Sequence, residues 1–135
     1  MDTVILGCGR VGAMVASRLG RTDRVTVVDW NPRALERLPS AFSGQTVVGN
    51  GIDVEVLREA GVDSADLFLA LTDGDNRNLM SAQIAARLGA RRVVARVYDP
   101  VRSEIYSAMG ITTISPIIKG AERLFQLVVE RTEGA

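Results

Sequence analysis

Short apolar runs alternate along this chain with stretches whose apolar positions recur every three or four residues. Val4-Ile5-Leu6, Val25-Thr26-Val27-Val28, Thr46-Val47-Val48, Leu67-Phe68-Leu69-Ala70 and Val93-Val94-Ala95 predict buried strands, with Thr112-Thr113-Ile114 as a weaker sixth. Between them, Val11/Met14/Val15/Leu19, Val54/Leu57/Ala60 and Leu79/Met80/Ile84/Leu88 carry helical spacing. A period that switches back and forth in this way predicts strand-helix-strand units and a parallel sheet covered on both faces.

The punctuation agrees with the period. Gly20, Gly61, Gly89 and Gly110 fall where helical patterns stop, as expected of residues that tolerate positive φ. Pro32, Pro100 and Pro116 stand where helices would begin, and Asp53 and Asp75 are placed to cap the helices that follow them. After the sixth strand, Ile117, Ala121, Leu124, Phe125 and Val128 form an apolar stripe on one more helix. If the sheet is already covered, that stripe needs another surface, either its own domain or a second copy. The tail from Glu130 to Ala135 is expected to fray.

Composition narrows the function classes. With 135 residues the chain is one domain's worth, too short for a nucleotide domain plus a full catalytic partner. Its 16 basic and 16 acidic residues cancel, without a block of like charge, so nothing points to nucleic acid or an acidic membrane surface. A single cysteine excludes an internal disulfide and suits a reducing compartment. No basic segment leads into an apolar signal run, and no apolar stretch approaches the roughly 18 residues of a membrane span. The expectation is a soluble, cytoplasmic domain without direct membrane insertion.

The chemistry concentrates in Gly7-Cys8-Gly9-Arg10-Val11-Gly12. A six-residue glycine pattern is weak by itself, but here it follows a predicted strand, opens a predicted helix, and precedes an acid, Asp29, at the end of the next strand. In that setting Gly7 permits the tight turn, Gly9 lets the backbone approach a pyrophosphate, and Gly12 lets helix and strand pack closely. The helix N-terminus then presents N–H groups to phosphates. Asp29, with Trp30 beside it, would accept the ribose hydroxyls, an interaction worth about 1.5–3 kcal/mol, and would repel a 2′-phosphate. NAD or another unphosphorylated adenosine ribose is therefore favoured over NADP, although Arg33 stands nearby. Cys8 is either a small filler against the helix or a redox-sensitive thiol. Arg10 is either a bidentate clamp on a terminal phosphate or a solvated arginine.

Two more loops fall where ligands bind in such sheets, beyond the carboxyl ends of strands. Gly49-Asn50-Gly51-Ile52-Asp53 offers Asn50 and Gly51 for an adenine edge, and the loop from Leu71 to Asn78 offers Leu71, Thr72, Asp75 and Asn78 for ribose or phosphate. Both are also ordinary turn compositions.

Taken together, Gly7–Gly12, Val28-Asp29, Gly49-Asn50-Gly51 before Asp53, Thr72/Asp75/Asn78 before Leu79, and Val94-Ala95-Arg96-Val97 before Asp99-Pro100 resemble the nucleotide-binding N-terminal domain of the TrkA/RCK family. That family regulates potassium transporters, potassium channels and some cation antiporters. The resemblance runs from Val4 to about Pro116 and implies an α/β, doubly wound, six-stranded Rossmann fold. It divides the chain into a nucleotide-binding domain, 1–116, and a crossover helix and tail, 117–135. It implies a regulatory ligand, NAD(H) or ATP/ADP, with Arg10 reaching phosphate and Arg96 lining the cleft. It also implies a homodimer or larger ring, coupled to a membrane potassium or other cation transporter or channel and so held peripherally at the membrane. Two features depart from the pattern. Ile117 follows Pro116 where several members carry a glutamate associated with a divalent cation, so no metal site is expected. The smaller second domain of most members is absent from these residues.

An NAD-dependent oxidoreductase, or its isolated dinucleotide domain, is the alternative on the same fold, since fold does not give function. With no histidine and one lysine, Lys119, the chain lacks the usual proton-transfer partners of hydride chemistry. A regulator needs no catalytic group, and none is expected.

Overall fold

The structure, a computed structural model, describes residues 1–133. Six strands alternate with helices: β1 (Asp2–Leu6), α1 (Arg10–Leu19), β2 (Arg24–Asp29), β3 (Gln45–Val48), α2 (Val54–Glu59), β4 (Leu67–Ala70), α3 (Asp75–Leu88), β5 (Arg92–Arg96), α4 (Pro100–Ala108), β6 (Thr112–Ile114) and α5 (Pro116–Glu133). All neighbouring strands pair in parallel, in the order β3-β2-β1-β4-β5-β6. This is the Rossmann order, and its reversal point lies between β1 and β4.

Alternation along the central strands divides the core into two layers. Val4, Leu6, Val28, Phe68 and Ala70 face α2 and α3, where they meet Leu57, Leu79, Ala82 and Ala85. Ile5, Val25, Val27 and Leu71 face α1, where they meet Ala13, Ala16 and the fully buried Cys8. The edge strands depart from the expectation of burial. β3 is exposed along most of its length, and in β6 only Thr113 is sheltered. Each has one neighbour in the sheet, which leaves less structure to cover it.

The sheet is also not covered on both faces throughout. On the α1 side, Leu67 and Leu69 of β4 and Val94 of β5 stay half-exposed, and Ile114 of β6 is exposed. Among the described residues, α2, α3 and α4 pack on the other side, against Val4, Phe68 and Ala70.

Three local readings are corrected. Gly20 has φ −64°, not a positive angle; its lack of a side chain admits the Phe42 ring, 3.2 Å from where a Cβ would stand. Asp75 is the first residue of α3 and does not cap it. The helix expected after Pro32 is one 3-10 turn, Ala34–Arg37. Asp53 does cap α2, accepting from the Glu55 N–H at 2.9 Å, and Pro100 opens α4 behind a capping Asp99.

α5 runs unbroken to Glu133, so Glu130–Glu133 are helical and not frayed, with Glu130 paired to Arg123 at 3.6 Å; Gly134 and Ala135 lie outside the described residues. Its stripe does not fold back on the domain: Leu124 is 68% and Phe125 69% exposed.

The tightest constraint in the domain is at Gly12, where a Cβ would stand 1.9 Å from the Gly7 carbonyl oxygen. Gly12→Ala must push α1 off β1 and is expected to cost about 3 kcal/mol. Urea unfolding measures this, with Gly120→Ala, which meets nothing within 4 Å, as the tolerated comparison.

Candidate functional site

The turn after β1 is built by backbone demands. Gly7 has φ +104°, and its N–H donates to the Val28 carbonyl at 2.8 Å, tying the turn to β2. A Cβ on Gly7 would stand 2.9 Å from the Leu71 carbonyl and the Thr72 nitrogen, so the β4–α3 loop lies directly against the glycine turn. Gly9 differs from both other glycines. Its φ is −78°, and a Cβ there would meet nothing within 4 Å. As the N-cap of α1 it supplies no side-chain acceptor, and the first turn carries no acidic residue. The N–H groups of that turn are thus left without a side-chain cap.

Asp29 ends β2 beside this turn. One carboxylate oxygen accepts from the Cys8 N–H at 2.8 Å and the other from the Asn31 N–H at 2.9 Å. A carboxylate offers about four lone-pair positions, so these two bonds fix its orientation and leave an acceptor site on each oxygen.

The β4–α3 loop is held by a buried polar hub. Asn78 is fully buried; its Oδ1 accepts from both the Thr72 N–H and the Thr72 hydroxyl, and its Nδ2 donates to the Thr72 and Arg96 carbonyls at 2.9 and 2.8 Å. Arg96, 8% exposed, donates through Nη2 to the Leu71 and Thr72 carbonyls at 2.9 and 2.7 Å, and its guanidinium lies 5.0 Å from the Tyr98 ring centre. Asp75 accepts from the Tyr98 and Asp99 N–H groups at 2.8 and 3.1 Å, joining α3 to the start of α4. Asn76 and Arg102 are hydrogen-bonded across the same seam.

A cleft of about 420 Å³ opens at the carboxyl ends of the strands, where the strand order reverses. It gathers Gly7, Asp29, Trp30, Asn50, Gly51 and Thr72 from the sequence candidates. The others are placed differently. Cys8 and Leu71 are buried beneath the turn; Gly12 is buried against Gly7; Gly9, Arg10 and Val11 stand exposed at the start of α1 outside the lining; and Asp75, Asn78 and Arg96 brace the loop from behind. Sequence reasoning missed Leu6, Gly49, Ile52 and Arg77, which complete the lining. For Arg77 a signal existed: on a helix, positions 75 and 78 share a face and 77 does not. A second hollow of about 430 Å³, by Asp2, Arg24, Gly44 and Ser64, lies at the amino ends of the strands, away from the glycine turn.

Burial pushes the Cys8 thiol above its ordinary range, the Asp29 carboxylate adds to that, and Arg37, which donates to the Cys8 carbonyl at 3.2 Å, partly opposes it. This is the reverse of an activated thiol, so Cys8 acts here as packing. Among the described residues, no cluster of three or more His, Cys, Asp or Glu is placed to hold a metal ion, and no helix is long and apolar enough to cross a membrane.

A glycine turn seated against β4, an acid at the end of β2 and a cleft at the reversal point define a Rossmann-type domain. The particular family follows from comparison: the TrkA-N domain family profile matches residues 3–116, and the chain belongs to that family. The Trk system potassium uptake protein TrkA of Streptomyces coelicolor is 41% identical over 128 residues, covering 93% of this chain and 57% of that protein. A TrkA homolog of Methanothermobacter thermautotrophicus is 32% identical over 130 residues, covering 95% and 60%. The chain thus spans less than two thirds of these relatives. Among solved structures, the TrkA-N domain of the Escherichia coli inner membrane protein YbaL superposes with a TM-score of 0.78 at 17% identity, covering 93% and 95% of the two chains. The Shewanella denitrificans Kef CTD in AMP-bound form gives 0.74 at 21%, covering 98% and 88%. The GsuK channel bound to NAD gives 0.69 at 23%, covering 85% and 21%. At these identities the structural likenesses establish the fold.

A thiol held protonated by burial resists alkylation. Iodoacetamide is expected to leave Cys8 unmodified in the native protein at neutral pH and to label it fully in urea, as read by intact mass. Because the unfolded thiol ionises first, stability contributed by the buried protonated form falls as pH rises past the ordinary thiol range.

Proposed function

We propose that this domain senses an adenine nucleotide, NAD(H) or ATP/ADP, and serves as the cytoplasmic regulatory part of a potassium transport system. The observation that carries the ligand is Gly9. Gly7 is demanded by its positive φ and Gly12 by contact with Gly7, but neither conformation nor packing within the chain demands glycine at 9. Close approach by a group outside the chain would account for a glycine there, at a helix start whose N–H groups have no side-chain cap. Asp29 stands ready for ribose hydroxyls with an acceptor site left on each oxygen, and Asn50 and Gly51 lie beside it for the base. The ligands of the structural neighbours, AMP and NAD, are of this chemical class. The role in potassium transport rests on the named relatives.

Regulation needs two states and a ligand that prefers one. A hundredfold preference supplies about 2.7 kcal/mol, since each tenfold step is worth about 1.4 kcal/mol. The second state is read here as a change in how two copies pair. Residues 1–116 form the sensing domain, and the helix and tail of 117–135 cross to a second copy. Two apolar surfaces support that pairing: the exposed stripe of Ile117, Leu124 and Phe125 on α5, and the partly covered half-face of Leu67, Leu69, Val94 and Ile114. The hub at Asn78 and the Asp75 bonds connect the ligand cleft to α4, giving occupancy a mechanical route to the periphery. A membrane transporter or channel subunit would read the altered pairing, holding the domain at the membrane without inserting it.

The test is a thermal-shift titration with NADH, NAD, ADP, ATP and AMP. Saturable stabilisation is expected for the parent. Gly9→Ala should keep the parent's melting temperature and lose the ligand response, and Asp29→Ala should lose it as well. A Gly9→Ala variant with full response would remove the main support for the reading. For the pairing, Leu124→Glu with Phe125→Glu should turn a dimer into a monomer in sedimentation with unchanged circular dichroism; a parent that is already monomeric at high protein concentration overturns it.

A further inference from the structure

We infer that Arg77 determines how the cleft discriminates among nucleotides, by gripping the phosphates beyond the first. The inference rests on the nucleotide reading above and adds a residue to it. The cleft is electrically polarised: of the residues that line it, Asp29 is the one anion and Arg77 the one cation. The strand order places them in sequence. Asn50 follows β3, Asp29 ends β2, Gly7 follows β1, and Thr72 and Arg77 follow β4, so the groups run in one line across four adjacent strands. At a spacing of about 4.8 Å per strand, β2 and β4 are about 10 Å apart. An adenine nucleotide has the same order of chemistry: base, then sugar hydroxyls that donate to a carboxylate, then phosphates that accept from a guanidinium.

Arg77 is also available for the task. It is exposed to the cleft, and among the described residues no ion pair or hydrogen bond engages its guanidinium. Its neighbours Asp75 and Asn78 turn the other way, into the α4 junction and the buried hub, and so fix the turn of α3 from which Arg77 projects. A guanidinium on a braced turn loses little freedom on binding, and its planar fork suits a phosphate oxygen pair. Arg10, the sequence candidate for that contact, stands outside the lining of this cleft.

Adenosine and AMP, which lack the second phosphate, should therefore be indifferent to Arg77, whereas ADP and NADH should not. The experiment is calorimetric titration of the 135-residue chain and its Arg77→Ala variant with adenosine, AMP, ADP and NADH. The substitution is exposed and on a helix, so folding is expected to be unchanged. Expected is a loss of tenfold or more in affinity for ADP and NADH in the variant, with adenosine and AMP within twofold of the parent. A variant that binds ADP within twofold of the parent overturns the inference and leaves the nucleotide reading standing, as does an equal loss for adenosine and ADP. A parent that binds none of the four overturns the reading and the inference with it.

Discussion

The domain depends on one backbone contact, the seating of the first turn of α1 on the carbonyl of Gly7. That approach is too close for any side chain at position 12. It draws α1 down onto β1, which lets Ala13 and Ala16 close over Ile5 and Val27 and encloses Cys8. The same seating leaves the N-terminal N–H groups of α1 at the sheet's carboxyl edge with a glycine, not a serine or aspartate, before them. A better-capped helix would gain about 1 kcal/mol and would fill with its own side chain the place a phosphate could take. Local stability has been given up at a helix start that adjoins the reversal of the sheet.

A second layer of organisation stands behind the first. Four side chains named from the sequence as ligand candidates, Thr72, Asp75, Asn78 and Arg96, make hydrogen bonds to the protein itself. They hold the β4–α3 loop against Gly7 and tie it to the strand and helix that follow. The buried Nε of Arg96 has no hydrogen-bond partner, which marks this hub as a place where geometry was favoured over complete pairing. A cleft wall built in this way is stiff, and whatever displaces Thr72 also acts on Arg96 and Asp99.

The fold was largely legible in the chain because the two periods of apolar residues are distinct and glycine and proline mark their ends. All six strands and the helices around α1, α2, α3 and α5 fall where the patterns place them. The positions of the acid that ends β2 and of the glycine turn were likewise readable, since local backbone geometry sets them. What could not be read was the direction in which loop side chains turn. Asp75 looks like a cap because of its position before a helical run, yet its carboxylate serves a loop 23 residues away. Arg77 sits beside two stronger-looking candidates, and only the register of α3 separates it from them. The partly covered half of the sheet was hidden for a similar reason: periodicity tells which residues are apolar, not which crossovers return on which side.

That partly covered half-face and the α5 arm belong to the same chain, and this turns their geometry into a question of symmetry. An 18-residue helix is about 27 Å long at 1.5 Å per residue. If two copies exchange arms reciprocally, every arm and every face is used and the assembly closes at two. If the exchange runs one way, each addition leaves one arm and one face open, and growth stops only where a ring returns to its start. Under such an exchange, the direction in which α5 leaves Ser115 would select between a closed pair and a circle.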